Sequence, residues 1–145
     1  MTTPTVALTL DDARSIIAGA FAHAASAGLK PLCVVVVDAG GHPIALERQD
    51  GSPNRRADIA LGKAHGAISL GANARVLGTM AVDRPHFIAA AGAAIGGSLI
   101  PVAGGVLVVH EGRSIGAVGI SGDTSDNDEA AAMAGIRAAG LSPQE

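Results

Sequence analysis

The sequence predicts an α/β domain of three layers, α/β/α, with helices on both faces of a central, mainly antiparallel sheet. Three observations predict it. Apolar residues near the amino terminus recur at helical spacing, two pairs of strand-like runs are each joined by a tight glycine-containing turn, and helical stretches precede, separate and follow those pairs. Runs joined by tight turns are hairpins, whose strands are antiparallel, because a parallel pair needs a crossover of a dozen or more residues. The helices then cover the sheet.

In the first helix Leu10, Ala13, Ile16, Ile17, Ala20, Phe21 and Ala24 form one apolar face. Thr9, Asp11 and Asp12 suit its positive end and Gly28 stops it. Leu32 to Val37 is continuously apolar, as in a strand covered on both sides. The stretch "DAGG" turns the chain into a second strand, Pro43 to Gln49, and "DGSPNR" breaks the pattern. A helix from Arg55 to Gly71 follows, with Ile59, Lys63 and Gly66 at helical spacing. One or two short helices then divide near Asp83-Arg84-Pro85. Gly104 to Val109 and Ser114 to Ser121 make the second hairpin around His110-Glu111-Gly112-Arg113. A closing helix, capped by Ser125 or Asp126, ends before Gly140. With 145 residues and no linker or repeat, the chain reads as one domain, 1–145, burying roughly two-thirds of its unfolded surface.

Composition narrows the function. The formal charge of −3, the absence of a basic cluster beyond Arg55-Arg56, and the lack of Trp and Tyr exclude a nucleic-acid partner. The stretch "MTTPTVALTLDDARSI" has no leader pattern and no run of eighteen apolar residues follows, so no membrane partner is expected. The lone Cys33 fits a reducing compartment, hence a cytoplasmic location, and packs as a small apolar side chain. With only two phenylalanines and twenty glycines, the small core residues pack tightly, and tight small-residue faces lead us to expect a homo-oligomer.

Several residues carry chemistry. None of the histidines His23, His42, His65, His86 and His110 has a paired metal-ligand spacing, so no metal site is expected. A single histidine can still serve as an axial haem ligand or move a proton near neutral pH. His42, after a tight turn beside Asp38, and His65, two residues after Lys63, stand out. Lys63, on a helix of small residues, must snorkel, contact an anion or pair with a carboxylate, the candidates being Glu47, Asp50 and Glu129. Arg48 and Asp50 alternate on the second strand and so share a face. Ser125, Asp126, Asp128 and Glu129 read as helix-capping residues. Gly96-Gly97 and Gly104-Gly105 offer bare backbone against which a flat ligand can lie. Cys33 sits in too apolar a run to be an activated thiolate, and no G-x-S-x-G elbow occurs.

The order "VVVVDAGGHPIALERQDGS", "ADIALGKAHGA" and "GGVLVVHEGRSIGAVGISGDTSDNDEAAAMAG" resembles the GlcG/haem-binding protein family, also found as the carboxy-terminal domain of PduO-type corrinoid adenosyltransferases. The resemblance covers nearly the whole chain. It implies the same α/β/α fold, assembly from dimers up to octamers, and in some members haem binding. Its D-x-G-G-H turn falls on Asp38, Gly40, Gly41 and His42, its R-x-D-G segment on Arg48, Asp50 and Gly51, and its K-A pair on Lys63-Ala64. Its S-G and D-E elements fall on Ser121-Gly122 and Asp128-Glu129. Gly66 stands where the family commonly has Thr, and "GGVLVV" where "GGVPI" is usual; loss of the hydroxyl at Gly66 is expected to open space.

The expected function is small-ligand binding, with haem the first candidate ligand and cofactor, in a haem-responsive or haem-degrading role. A cofactor-independent lyase, isomerase or hydrolase acting on a small organic acid is the alternative. There Lys63, His65 and His42 would be catalytic, and Arg48, Asp50, Arg55, Gly104, Gly105 and Glu129 would bind the ligand. A third reading is a non-catalytic accessory subunit. His42, Arg48 and Asp50 are expected to form one rim facing Lys63 and His65.

Overall fold

The computed structural model describes residues 6–145; residues 1–5, the start of the stretch read above as lacking a leader, lie outside the described residues. The elements run α1 (Leu10–Ala27), β1 (Cys33–Asp38), β2 (Pro43–Arg48), α2 (Arg56–Leu70), α3 (Ala74–Asp83), α4 (Pro85–Ala94), β3 (Gly105–His110), β4 (Arg113–Ser121), α5 (Ser125–Ala138) and β5 (Ser142–Pro143). The five strands form one sheet in the order β2-β1-β4-β3-β5, every pairing antiparallel.

Successive strand residues face opposite layers. Val34 and Val36 join Ile16, Ile17 and Ile136 in the core under α1 and α5, while Cys33, Val35 and Val37 join Ala60, Ala64 and Ala67 under α2. The unbroken valine run of β1 is thus a strand with a core on each side. Cys33 is fully buried, and burial pushes its thiol up to about 11.

α2 comes unusually close to the sheet. Gly105 and Gly119 are cross-strand partners, and a Cβ on either would strike the backbone of α2, at Lys63 and Ala60 respectively. Two adjacent side-chain-free positions make a trough, and the alanines of α2 lie in it.

The ends of elements follow local chemistry. Thr9 accepts from the Asp12 N–H at 3.0 Å and its own N–H donates to Asp12 Oδ2 at 3.0 Å, a capping box at α1. The region foreseen as one or two helices is two, divided at Arg84 with Pro85 as the first residue of α4. β2 stops at Arg48 because Gln49 folds back on Leu32, its N–H donating to Leu32 O at 2.9 Å and its Oε1 accepting from Leu32 N at 2.7 Å. Asp50 therefore lies in the following turn, not on the strand beside Arg48.

The cap of α5 is Thr124, whose hydroxyl accepts from Asn127 N at 3.2 Å, in place of the expected Ser125 or Asp126. Beside it, Asp123 accepts from Asn127 Nδ2 at 2.7 Å, Thr124 N at 2.8 Å and Lys30 N at 2.9 Å. The Asn127 amide above all, then these N–H groups, hold its carboxyl down at about 2. A depressed folded value stabilises the protein above the unfolded value and is lost as pH falls through the folded one. Thermal melts should therefore show the Asp123→Asn variant losing less stability than wild type between pH 3.8 and about 2. Parallel melting curves would refute this.

Candidate functional site

Lys63 is the residue whose placement most needs explaining. The stripe Ala60, Lys63, Ala64, Ala67 is buried against the sheet, and Lys63 retains only 3% exposure. A lone ammonium there would be costly, so it is paired. Nζ donates to Asp128 Oδ2 at 3.1 Å and to Ile120 O at 2.9 Å. Asp128, 1% exposed, accepts at its other oxygen from Asp123 N at 2.9 Å. Burial lowers the lysine from its ordinary value against the pull of the carboxylate, and burial raises the carboxyl against its N–H donors. The structure brings Lys63 to Asp128, not to Glu47, Asp50 or Glu129.

Asp128 was read as a capping residue, but it belongs to the buried stripe of α5 with Ala131, Ala132, Gly135 and Ile136. That i, i+3, i+4, i+7 spacing was the available signal. Glu129, one residue on, turns outward, where with Asp126 it receives the guanidinium of Arg75. The bare backbone at Gly104-Gly105 is no open slot: a Cβ at Gly104 would lie 2.8 Å from Lys63 Nζ, so the lysine itself fills that space.

His65, two residues after Lys63, points toward the β1–β2 turn. A Cβ at Gly97 would sit 2.5 Å from its Cε1 and one at Gly41 2.9 Å from its Cδ2, so the ring lies edge-on between two glycines. Nδ1 is 2.9 Å from Ser98 O. A carbonyl oxygen only accepts, so Nδ1 carries a proton, and in the neutral ring Nε2 keeps its lone pair. Nε2 has no hydrogen-bond partner among the described residues. Gly97, foreseen as ligand-facing backbone, instead closes on this ring. Nor does Gly66 open space, since a Cβ there would lie 2.5 Å from Leu99 Cδ1, which occupies the gap.

The expected single rim is two separate groups. His42 is 81% exposed, with Nδ1 3.5 Å from Asp38 Oδ1. The N–H groups of His42 and Gly40 donate to that carboxylate and hold Asp38 below its ordinary value. Arg48 ends β2 and Asp50 follows it in the turn, so both lie at the other end of the strand, roughly 20 Å away at about 3.3 Å per strand residue. Arg48 Nη1 donates to Ser52 O at 3.0 Å, and Arg55 pairs with Asp58 at 3.2 Å on the surface. The structure thus groups His42 with the turn over His65, and Arg48 with the amino-terminal end of α2.

A cavity of about 750 Å³ opens between the two hairpin turns and the segment before α1, lined by Leu8, Asp38, His110, Glu111, Arg113 and Ile115. A second, more open one of about 580 Å³ is lined by Phe21, Pro31, Glu47, Arg48, Gln49 and Asp50. Neither is lined by Lys63 or His65. Among the described residues, no cluster of three or more His, Cys, Asp or Glu side chains is placed to hold a metal ion, and no helix is long and apolar enough to cross a membrane.

A family model described as haem degrading protein HbpS-like matches residues 8–137. Among solved structures, the chain is similar to a double mutant of HbpS from Streptomyces reticuli, at 29% identity and TM-score 0.79, covering 92% of this chain and 88% of that one. It is similar to Klebsiella pneumoniae protein ORFY at 25% identity and TM-score 0.83, covering 97% and 96%. The structure of a PduOC:heme complex shares the fold at 23% identity and TM-score 0.84, covering 97% and 100%. No curated protein matches the chain in sequence.

Proposed function

Because this chain belongs to the HbpS-like haem-degrading protein family, we propose that it binds haem, with His65 as the axial ligand. The observation that carries this is the state of the His65 ring. A backbone carbonyl takes its Nδ1 proton, which fixes the tautomer that leaves Nε2 basic, the arrangement found behind metal-ligating histidines. His42 and His110 face carboxylates at 3.5 and 4.0 Å, and the described contacts give neither ring such a carbonyl partner. Gly41 and Gly97 flank the ring, and Ile68 lies beside Gly41, so the groups bordering His65 are apolar side chain and bare backbone. Bound haem would supply redox-active iron; the chain's part is to present one oriented nitrogen between two glycine backbones.

The catabolic-enzyme reading draws less support, since Lys63 spends its donors inside the chain. Self-association is part of the proposal: Val76, Val82 and Phe87 leave an apolar face exposed on α3 and α4. A cytoplasmic site of action agrees with the lone buried thiol.

Hemin titration followed by absorbance tests the haem reading. Wild type should give a saturable Soret shift. His65→Ala should weaken binding by tenfold or more, and His86→Ala should leave it unchanged. No shift with wild type would refute haem binding, and a loss confined to His42→Ala would refute the assignment of His65.

A further inference from the structure

At the end of the sheet away from His65, positive charge collects without an acidic partner. β1 residue Cys33 pairs with Arg48 on β2 and with Ser121 on β4. Directly opposed residues of antiparallel strands share a face, so the side chains of Arg48, Cys33 and Ser121 lie in one row beneath α2, spanning roughly 10 Å. The first residue of α2, Arg56, reaches over this row, its Nη1 donating to Ser121 Oγ at 3.1 Å. Among the described residues, the Arg48 guanidinium donates only to the backbone oxygen of Ser52.

Neither guanidinium lies within 4.0 Å of a carboxylate among the described residues. Of the nearby acids, Asp128 holds Lys63, Asp58 holds Arg55, Asp123 accepts from the N–H groups of Lys30 and Thr124, and Asp50, in the turn after β2, is not within 4.0 Å of either guanidinium. Glu47, opposite Val34 in the register, faces the other layer. Arg56 also lies close enough to oppose the charge on Lys63.

Four residues along the chain from either arginine, Ser52 is 5% exposed and its hydroxyl has no hydrogen-bond partner among the described residues. A hydroxyl left unpartnered indoors is uncommon and indicates a missing group. Two guanidiniums with donors to spare and one orphan hydroxyl share a chemistry, which is donation to a planar or tetrahedral oxyanion.

We propose that Arg48, Arg56 and Ser52 form an oxyanion seat, separate from the haem site, that takes the carboxylate or phosphate group of a small molecule. The anion neutralises the paired guanidiniums, and a turn about χ1 lets the Ser52 hydroxyl donate to it.

Calorimetric titration of the full chain with inorganic phosphate, acetate and malonate in separate arms tests this. At least one should bind saturably; the arm that binds tells phosphate from carboxylate. Arg48→Gln and Arg56→Gln should each weaken that binding about tenfold or more, and Ser52→Ala about threefold or more, as expected for lost charge-assisted donors. Arg84→Gln, whose guanidinium lies over Phe87, should bind as wild type. Melts by circular dichroism confirm that each variant is folded, and Arg56→Lys supplies a folded alternative that keeps charge but not the fork. Hemin affinity should be unchanged in Arg48→Gln. Absence of saturable binding in all three arms, or equal weakening by Arg84→Gln, would overturn the seat. A parallel loss of hemin affinity in Arg48→Gln would overturn its separateness.

Discussion

Asp128→Ala is expected to destabilise the fold by about 3–5 kcal/mol, the usual cost of leaving one member of a buried ion pair behind. The stranded group would be Lys63, 3% exposed, with Ile120 O its one remaining acceptor among the described residues. Against a total stability of about 5–15 kcal/mol for a domain, that is a large fraction. Urea denaturation should show a lower midpoint with little change in slope. The pair itself has a different worth from the loss of half of it. Charges taken out of water give back much of their attraction as desolvation, so Lys63→Met with Asp128→Leu should recover most of the loss. If Asp128→Ala unfolds at the wild-type midpoint, the pair is not holding α5 to α2.

Gly119→Ala should be nearly as damaging, at about 3 kcal/mol, the upper end for overpacking. A methyl group there meets Ala60 O, which is helix backbone and cannot rotate away as a side chain would. α2 would have to lift from the sheet, disturbing Ala64 and the neighbouring contact of Gly105 with Lys63 O. By contrast, Gly112→Ala in the β3–β4 turn meets nothing within 4 Å, and its cost is confined to its φ of 75°. A Gly119→Ala melting temperature within error of wild type would refute the trough as the reason for glycine.

Hydrophobic period made most of the fold legible in the residues alone. The α1 face, the doubly covered β1 and both hairpins follow from spacing and turn glycines, and they agree with the structure. What escaped depends on contacts distant in sequence. β5 is two residues long and exists because Val108 and Val109 offer it an edge, so no pattern announces it. Thr124 and Ser125 are equivalent as letters; the position of the first helical turn decides which one caps.

The site divides the same way. Lys63 and His65 were legible as unusual polar residues on a helix of small ones. Their partners, Asp128 at 65 residues' separation and Ser98 O at 33, were not. Gly66 shows the limit from the other side, because a missing side chain looks like space until Leu99 is found in it. Arg56, outside the expected site altogether, gains meaning only from the register that sets Ser121 and Arg48 on either side of Cys33.

The short β5 also makes the sheet lopsided. Asn73 receives the Leu107 N–H on Oδ1 at 2.9 Å and gives Nδ2 to Gln144 O at 2.8 Å, while Gln144 N returns to Leu107 O at 2.9 Å. One side-chain amide, acting as a counterfeit peptide group, lets the tail of the chain seal that border. Among the described residues the opposite border, β2, keeps a free row of backbone groups, bulged at Ile44 where its pairing with Val36 and Val37 of β1 shifts and marked by Glu47 and Arg48. Among the described residues, β2 is therefore the longer open edge, and a strand from another molecule that lengthens the sheet there, in orderly assembly or in aggregation, must pass those charges.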